Sequence, residues 1–201
     1  MLFSTPSADA AGLLVADGGF GGQLAIQEHE ARVVINNGIA VTRVSQVFKN
    51  LENRQVEALY SFPVPTNASV STFSMWINGK EMIGEVIEKE KAREIYNSYK
   101  EVRRDPGLLE QVDYKTFELR IFPIAPLAEQ RIEVAYYQEL DFDNDWATYV
   151  YPLATTATET AQNRVEGRFN VTVEVKSEIP IVEIESPSHG DDVAMATMNP
   201  N

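Results

Sequence analysis

Three aspartates at alternate positions, Asp141, Asp143 and Asp145, are the part of this sequence closest to a ligand set. Alternate carboxylates in a tight loop can converge on one hard cation, and an EF-hand calcium loop opens in that way. The pattern then fails, because Trp146 stands where such a loop needs glycine and Pro152 where it needs a bidentate glutamate. A solvated turn is the better reading, and these three residues stand as a calcium candidate and no more. The two histidines, His29 and His189, lie near opposite ends of the patterned region without the His-x-x-x-His spacing of a zinc helix. Each reads as a surface histidine. Zero cysteines remove disulfides, thiolate metal sites and cysteine nucleophiles together, and there is no Gly-x-Ser-x-Gly elbow. The 30 acidic residues allow many carboxylate pairs of the kind that hydrolyse glycosides, yet no pair is singled out. The expectation is therefore a protein with no catalytic residue and no cofactor, with a cryptic hydrolase as the remote alternative.

The charge points the same way. A formal net charge of -13, from 17 basic and 30 acidic residues, repels phosphate backbones and anionic lipid. Nucleic acid is not an expected partner. No run approaches the roughly 20 apolar residues of a membrane span, so direct membrane insertion is not expected either. Met1 to Gly22 lacks the basic start and continuous apolar core of a signal peptide. The triplets Asn67-Ala68-Ser69 and Asn170-Val171-Thr172 match the glycosylation sequon, more simply by chance.

The elements that would carry any site are mostly strands. Residues 1–22, with Gly18-Gly19-Phe20-Gly21-Gly22, read as a flexible leader. Ala31 to Ile35 is β-prone, and Asn37-Gly38 supplies the two positive-φ residues of a type I′ hairpin into Ile39 to Phe48. Ala58, Tyr60, Phe62 and Val64 alternate along the next strand, which Pro63 and Pro65 should end at a sheet edge. Phe73, Met75 and Ile77 alternate up to Asn78-Gly79, a second hairpin. Between 88 and 102 the period changes to threes and fours, with Ala92, Ile95, Tyr96, Tyr99 and Val102 on one stripe, which predicts a helix. Strand patterning returns at Phe117, Leu119 and Ile121, at Ile132, Val134 and Tyr136, in a short strand from Tyr149 to Leu153, and at Phe169, Val171, Val173 and Val175. This pattern predicts a mainly β protein, an antiparallel β-sandwich with one inserted α-helix at about 88–102. The expected division is a leader at 1–22, one domain at 23–186 with further strands at about 164–184, and a linker or tail at 187–201.

Several of these segments carry a family likeness. Val44-Ser45-Gln46-Val47-Phe48-Lys49-Asn50, then Glu57-Ala58-Leu59-Tyr60-Ser61-Phe62-Pro63-Val64-Pro65, then Glu85 to Tyr96 and Leu108-Leu109-Glu110 resemble, in that order, the vault protein inter-alpha-trypsin (VIT) family. The likeness runs over about 31–153. Two pieces depart from the family pattern: Asp113-Tyr114-Lys115-Thr116-Phe117 stands for its Pro-Asn-x-Phe approach, and Ala125-Pro126-Leu127-Ala128 for its Pro-Pro-Gly turn.

The resemblance implies a module of the kind found in inter-alpha-trypsin inhibitor heavy chains, in a vault-associated poly-ADP-ribose polymerase and in bacterial envelope or secreted proteins. It commonly precedes a von Willebrand A domain, whose Asp-x-Ser-x-Ser metal motif this chain does not contain. The function expected is that of a non-enzymatic protein-interaction or adhesion scaffold in an extracellular or cell-envelope protein. Its expected partner is another protein or a further copy of itself, with a von Willebrand A domain in the full-length chain. A self-assembling structural subunit is the rival, since exposed strand edges pair readily.

Overall fold

The computed structural model describes residues 13–16, 24–77, 80–83, 114–152, 165–187 and 194–196. They form β1 (Leu13–Ala16), β2 (Leu24–Asn36), β3 (Ile39–Asn50), β4 (Val56–Pro65), β5 (Ser69–Ile77), β6 (Lys80–Ile83), β7 (Tyr114–Ile124), β8 (Glu129–Glu139), β9 (Asp141–Asp143), β10 (Trp146–Thr148) and β11 (Val165–Lys176). A six-stranded sheet in the order β11-β2-β3-β8-β5-β6 faces a three-stranded sheet β1-β4-β7, and β9 and β10 make a separate hairpin.

Alternation builds the core. Every second residue of β3 turns inward: Val44 and Phe48 meet Val56, Ala58, Tyr60, Phe62 and Val64 of β4 across the sandwich, and Ala40 packs in a smaller cluster with Val33, Ile35 and Leu140. Ile132, Val134 and Tyr136 of β8 complete the layer. Aromatic rings knit the two sheets, with Phe48 edge-on to Tyr60 at 5.7 Å and Phe62 tilted against Tyr136 at 6.2 Å. The outer face of the six-stranded sheet is left to solvent, the usual arrangement for a largely antiparallel sheet.

Two turns fix the register. Asn37 (φ 47°) and Gly38 (φ 84°) form the two-residue loop that the sequence predicts, and Asn36 lies opposite Ile39 across it. At the other end of β3, the fully buried Asn50 closes the sandwich. Its Nδ2 faces the carbonyls of Arg54 (2.8 Å), Ala125 (3.0 Å) and Ile124 (3.3 Å), and its Oδ1 accepts from the Glu52 amide (2.9 Å). One side chain thereby ties the β3–β4 turn to the end of β7.

The structure corrects the sequence reading in several places. Leu13–Ala16, expected within a flexible leader, is a strand that pairs antiparallel with Ala58–Ser61 of β4. The first long strand starts at Leu24, seven residues before the Ala31 start that the pattern suggests. The expected Tyr149 to Leu153 strand is replaced by the β9–β10 hairpin just before it, and Tyr149–Pro152 joins no ladder. The strands expected at about 164–184 reduce to β11 alone, and β11 lies parallel to β2 in an otherwise antiparallel sheet. Pro63 and Pro65 lie beyond the reach of β1, whose register stops at Ser61, so their missing amides cost that pairing nothing. The helix expected at 88–102 lies outside the described residues.

Close backbone approach makes the parallel pairing specific. β2 and β11 are both irregular at the same level, between Ile26 and Glu28 on one strand and between Val165 and Arg168 on the other. A Cβ at Gly167 would sit 2.2 Å from the Gln27 carbonyl oxygen, so only glycine fits there. At the far end, the Asn37 amide donates to the Lys176 carbonyl (3.0 Å) and the Glu178 amide to Asn37 Oδ1 (2.9 Å).

Candidate functional site

The one described histidine is not at the surface. His29 is fully buried, because it shares the inward alternation of β2 with Ala31, Val33 and Ile35. Tyr60 donates its hydroxyl to Gln46 Oε1 (2.5 Å), Gln46 Nε2 donates to His29 Nδ1 (2.8 Å), and His29 Nε2 lies 2.9 Å from the Tyr151 hydroxyl. Since Nδ1 faces an amide donor, the ring hydrogen belongs on Nε2 and is given to Tyr151. Phe169 stacks on the ring at 5.2 Å. Burial lowers the His29 pKa to about 4, which keeps the ring neutral at physiological pH. Burial likewise pushes the hydroxyls of Tyr60, Tyr149 and Tyr151 upward, so all three stay protonated. The Tyr149 hydroxyl also bonds to Thr42 (2.7 Å). This chain of polar groups, from Tyr60 through Gln46 and His29 to Tyr151, joins both sheets to the 149–151 segment. Neither histidine nitrogen is offered to a substrate.

The outer face of the six-stranded sheet is organised differently. Counting outward from the Asn37-Gly38 turn, Asn36 lies beside Ile39, Val34 beside Val41, and Arg32 beside Arg43. The β8 partners of Ile39, Val41 and Arg43 are Glu139, Tyr137 and Ala135. One row therefore reads Glu174, Val34, Val41, Tyr137, and the next reads Thr172, Arg32, Arg43, Ala135. Tyr137 is 50% exposed and Val41 38% exposed.

Arg32 and Arg43 are directly opposed like charges, an arrangement that costs a sheet some stability. Nearby carboxylates could relieve it but are engaged elsewhere. Glu133 pairs with Arg131 (3.2 Å), Glu174 with Lys176 (3.1 Å), and Glu30 and Glu28 with Arg168 (4.0 and 3.5 Å). Among the described residues neither Arg32 nor Arg43 makes an ion pair. Farther along the same face, Arg131 lies over the Trp76 ring at 5.5 Å, which uses up that cation. Two open guanidinium groups beside a half-exposed tyrosine and valine have the residue types that dominate binding at protein interfaces.

The three aspartates singled out in the sequence come together on the exposed β9–β10 hairpin, with Asn144 (φ 54°) at its turn. Asn144 Nδ2 donates to Asp143 Oδ1 at 3.1 Å. Among the described residues no group of three or more acidic, histidine or cysteine side chains is placed to hold a metal ion. Trp146 is 49% exposed on this hairpin. His189 lies outside the described residues. Sequence reasoning missed Arg32 and Arg43, although the turn at 37–38 was enough to set them opposite one another.

Comparison with known proteins places the fold in context. The vault protein inter-alpha-trypsin domain matches residues 26–136, from the buried start of β2 to the end of the β8 core positions. The mouse protein mono-ADP-ribosyltransferase PARP4 is 31% identical over 114 residues, which are 57% of this chain and 6% of that protein. Its human counterpart is 29% identical over 153 residues, 76% of this chain and 9% of that protein. The rat von Willebrand factor A domain-containing protein 5A is 27% identical over 121 residues, 59% of this chain and 15% of that protein. The matched region thus spans a small fraction of each of these relatives. With most of its sandwich core inside a match covering more than half of its residues, the chain belongs to the vault protein inter-alpha-trypsin domain family.

Proposed function

We propose that this module is a non-catalytic protein-binding scaffold that presents the solvent face of its six-stranded sheet, centred on Arg32 and Arg43, to a partner carrying carboxylates beside apolar side chains. The unrelieved cross-strand arginine pair carries the reading. Like charges directly opposed across a ladder disfavour the pairing, and a planar guanidinium is suited to grip a carboxylate through two parallel hydrogen bonds. Tyr137 and Val41 supply the adjoining apolar contact. The absence of catalysis is supported by His29, the one described residue with acid–base chemistry near neutrality, being neutral, buried and committed at both nitrogens.

Selection from a displayed library of random peptides tests the reading. Wild-type protein should enrich sequences that place Asp or Glu next to an aromatic residue, and the Arg32→Ala/Arg43→Ala variant should not. Enrichment that is absent, or indifferent to the double substitution, contradicts it.

The names of relatives that contain a von Willebrand factor A domain support such a domain as a neighbour of this module in a longer protein. The extracellular or envelope setting expected from the family resemblance belongs to the same proposal. Fractionation of cells producing the full-length protein tests it, and a purely cytosolic signal would contradict it.

A further inference from the structure

We propose that two copies of this chain associate about a two-fold axis, the acidic β9–β10 hairpin of each docking on the Arg32–Arg43 pair of the other. The inference rests on the reading of the sheet face as a protein-binding surface and names one occupant for it.

The hairpin has the chemistry the arginine pair lacks. Asp141, Asp143 and Asp145 fall within five residues, and among the described residues none of them is in an ion pair. Between and beside them Phe142 is 63% exposed and Trp146 49% exposed, the largest apolar groups left to solvent at this end of the protein. Asp141, Asp143 and Trp146, which lies opposite Asp143 across the hairpin, share one face and complement guanidinium groups flanked by Tyr137 and Val41, charge against charge and apolar against apolar.

The hairpin is also held in place. The Leu140 amide donates to the Gly38 carbonyl (2.8 Å), and the Phe142 ring lies over Gly38 so closely that a Cβ there would sit 2.8 Å from Cε2. Gly38 further needs its positive φ of 84°, so the turn that sets the strand register also seats the hairpin. A fixed hairpin loses little conformational entropy on docking.

Its position relative to the arginines suits a closed pair. From the Gly38 turn the outer face runs first through Asn36, Ile39 and Glu139, next through Val34, Val41 and Tyr137, and then to Arg32 and Arg43. Ile39 is 53% exposed and Val41 38%, so the intervening rows carry a narrow apolar strip between Lys176 and Glu174 of β11 on one side and Glu139 of β8 on the other. A two-fold axis along the Val41–Tyr137 row would lay that row against its own copy and carry the Ile39 end of each subunit, with its hairpin, toward the opposite arginine pair. Such a contact uses the same patch on both subunits and ends at two. Within one molecule the hairpin is seated at the turn, two rows short of the arginines.

Sedimentation velocity over a concentration series into the high-micromolar range tests the proposal by charge exchange. Wild-type chain should show a reversible monomer–dimer equilibrium. Arg32→Glu/Arg43→Glu should be monomeric, as should Asp141→Lys/Asp143→Lys/Asp145→Lys, with circular dichroism spectra matching wild type. An equimolar mixture of the two variants should recover a dimer, since each then meets its opposite. If either variant fails to fold, Arg32→Ala/Arg43→Ala replaces the first and Asp143→Lys alone the second, each expected to weaken wild-type self-association at least tenfold. A wild type that stays monomeric, a dimer indifferent to these changes, or a mixture of folded variants that stays monomeric overturns the proposal. Peptide selection that still depends on Arg32 and Arg43 would then leave the binding face standing with a different occupant.

Discussion

His29 is the residue whose environment has the clearest consequence in solution. Its pKa falls from an ordinary 6.5 to about 4 on folding, because burial disfavours the charged ring. Between those values the unfolded chain binds the proton and the folded one does not, so stability declines as pH drops through this window and levels off below about 4. The whole effect is of order 3 kcal/mol, since each tenfold loss of proton affinity corresponds to about 1.4 kcal/mol. Carboxylates also titrate at the low end, so the comparison that isolates the ring is wild type against His29→Gln. Urea midpoints at neutral pH and near pH 4.5 should show a steeper acid loss for wild type than for the variant. Equal losses would mean that the ring is solvated. The sequence reads this histidine as a surface residue because strand propensity is strong only from Ala31 onward. Extending the same alternation back through His29 puts it on the inner face.

At the scale of elements, strands with clean alternation and a short turn were legible, and the exceptions have physical causes. Asn37-Gly38 named its turn type because few residue pairs tolerate positive φ twice, and the register of β2 against β3 follows by counting. That register also contained the Arg32–Arg43 opposition, which a strand-by-strand reading does not reveal. β1 was missed because four residues hold too short a period, and the parallel docking of β11 because alternation is blind to direction. Gly167 is where that docking is most demanding. Gly167→Ala would drive a methyl group into the Gln27 carbonyl, so β11 should shift or detach from β2 at its start. Hydrogen exchange should show the amides of β11 losing protection in this variant while those of β3 and β8 keep theirs. Unchanged protection in β11 would mean that the backbones can separate at no cost. The β9–β10 hairpin gives a second expectation. Its aspartates share a turn but lack the closing glutamate, so saturating calcium should move the melting temperature only slightly relative to chelator. A large, saturable shift abolished by Asp143→Ala would establish a calcium site.

For the whole molecule, burial and surface divide the labour. The interior between the sheets is closed by aromatic packing and by a polar chain from Tyr60 through Gln46 and His29 to Tyr151, and that chain is turned wholly inward. The solvent face of the larger sheet keeps two unrelieved arginines in a protein whose net charge is -13. A positive spot on an acidic surface focuses attraction on one place while the rest repels, which favours a defined docking orientation over general stickiness. The most direct measurement of this account is the dissociation constant of an acidic–aromatic peptide selected on the wild-type protein, taken by fluorescence anisotropy for wild type and for Arg32→Ala/Arg43→Ala. The predicted result is a loss of at least about tenfold, equivalent to 1.4 kcal/mol, with the melting temperature of the variant equal to or above that of wild type. Equal affinities for the two proteins would contradict the assignment of this face as the binding surface.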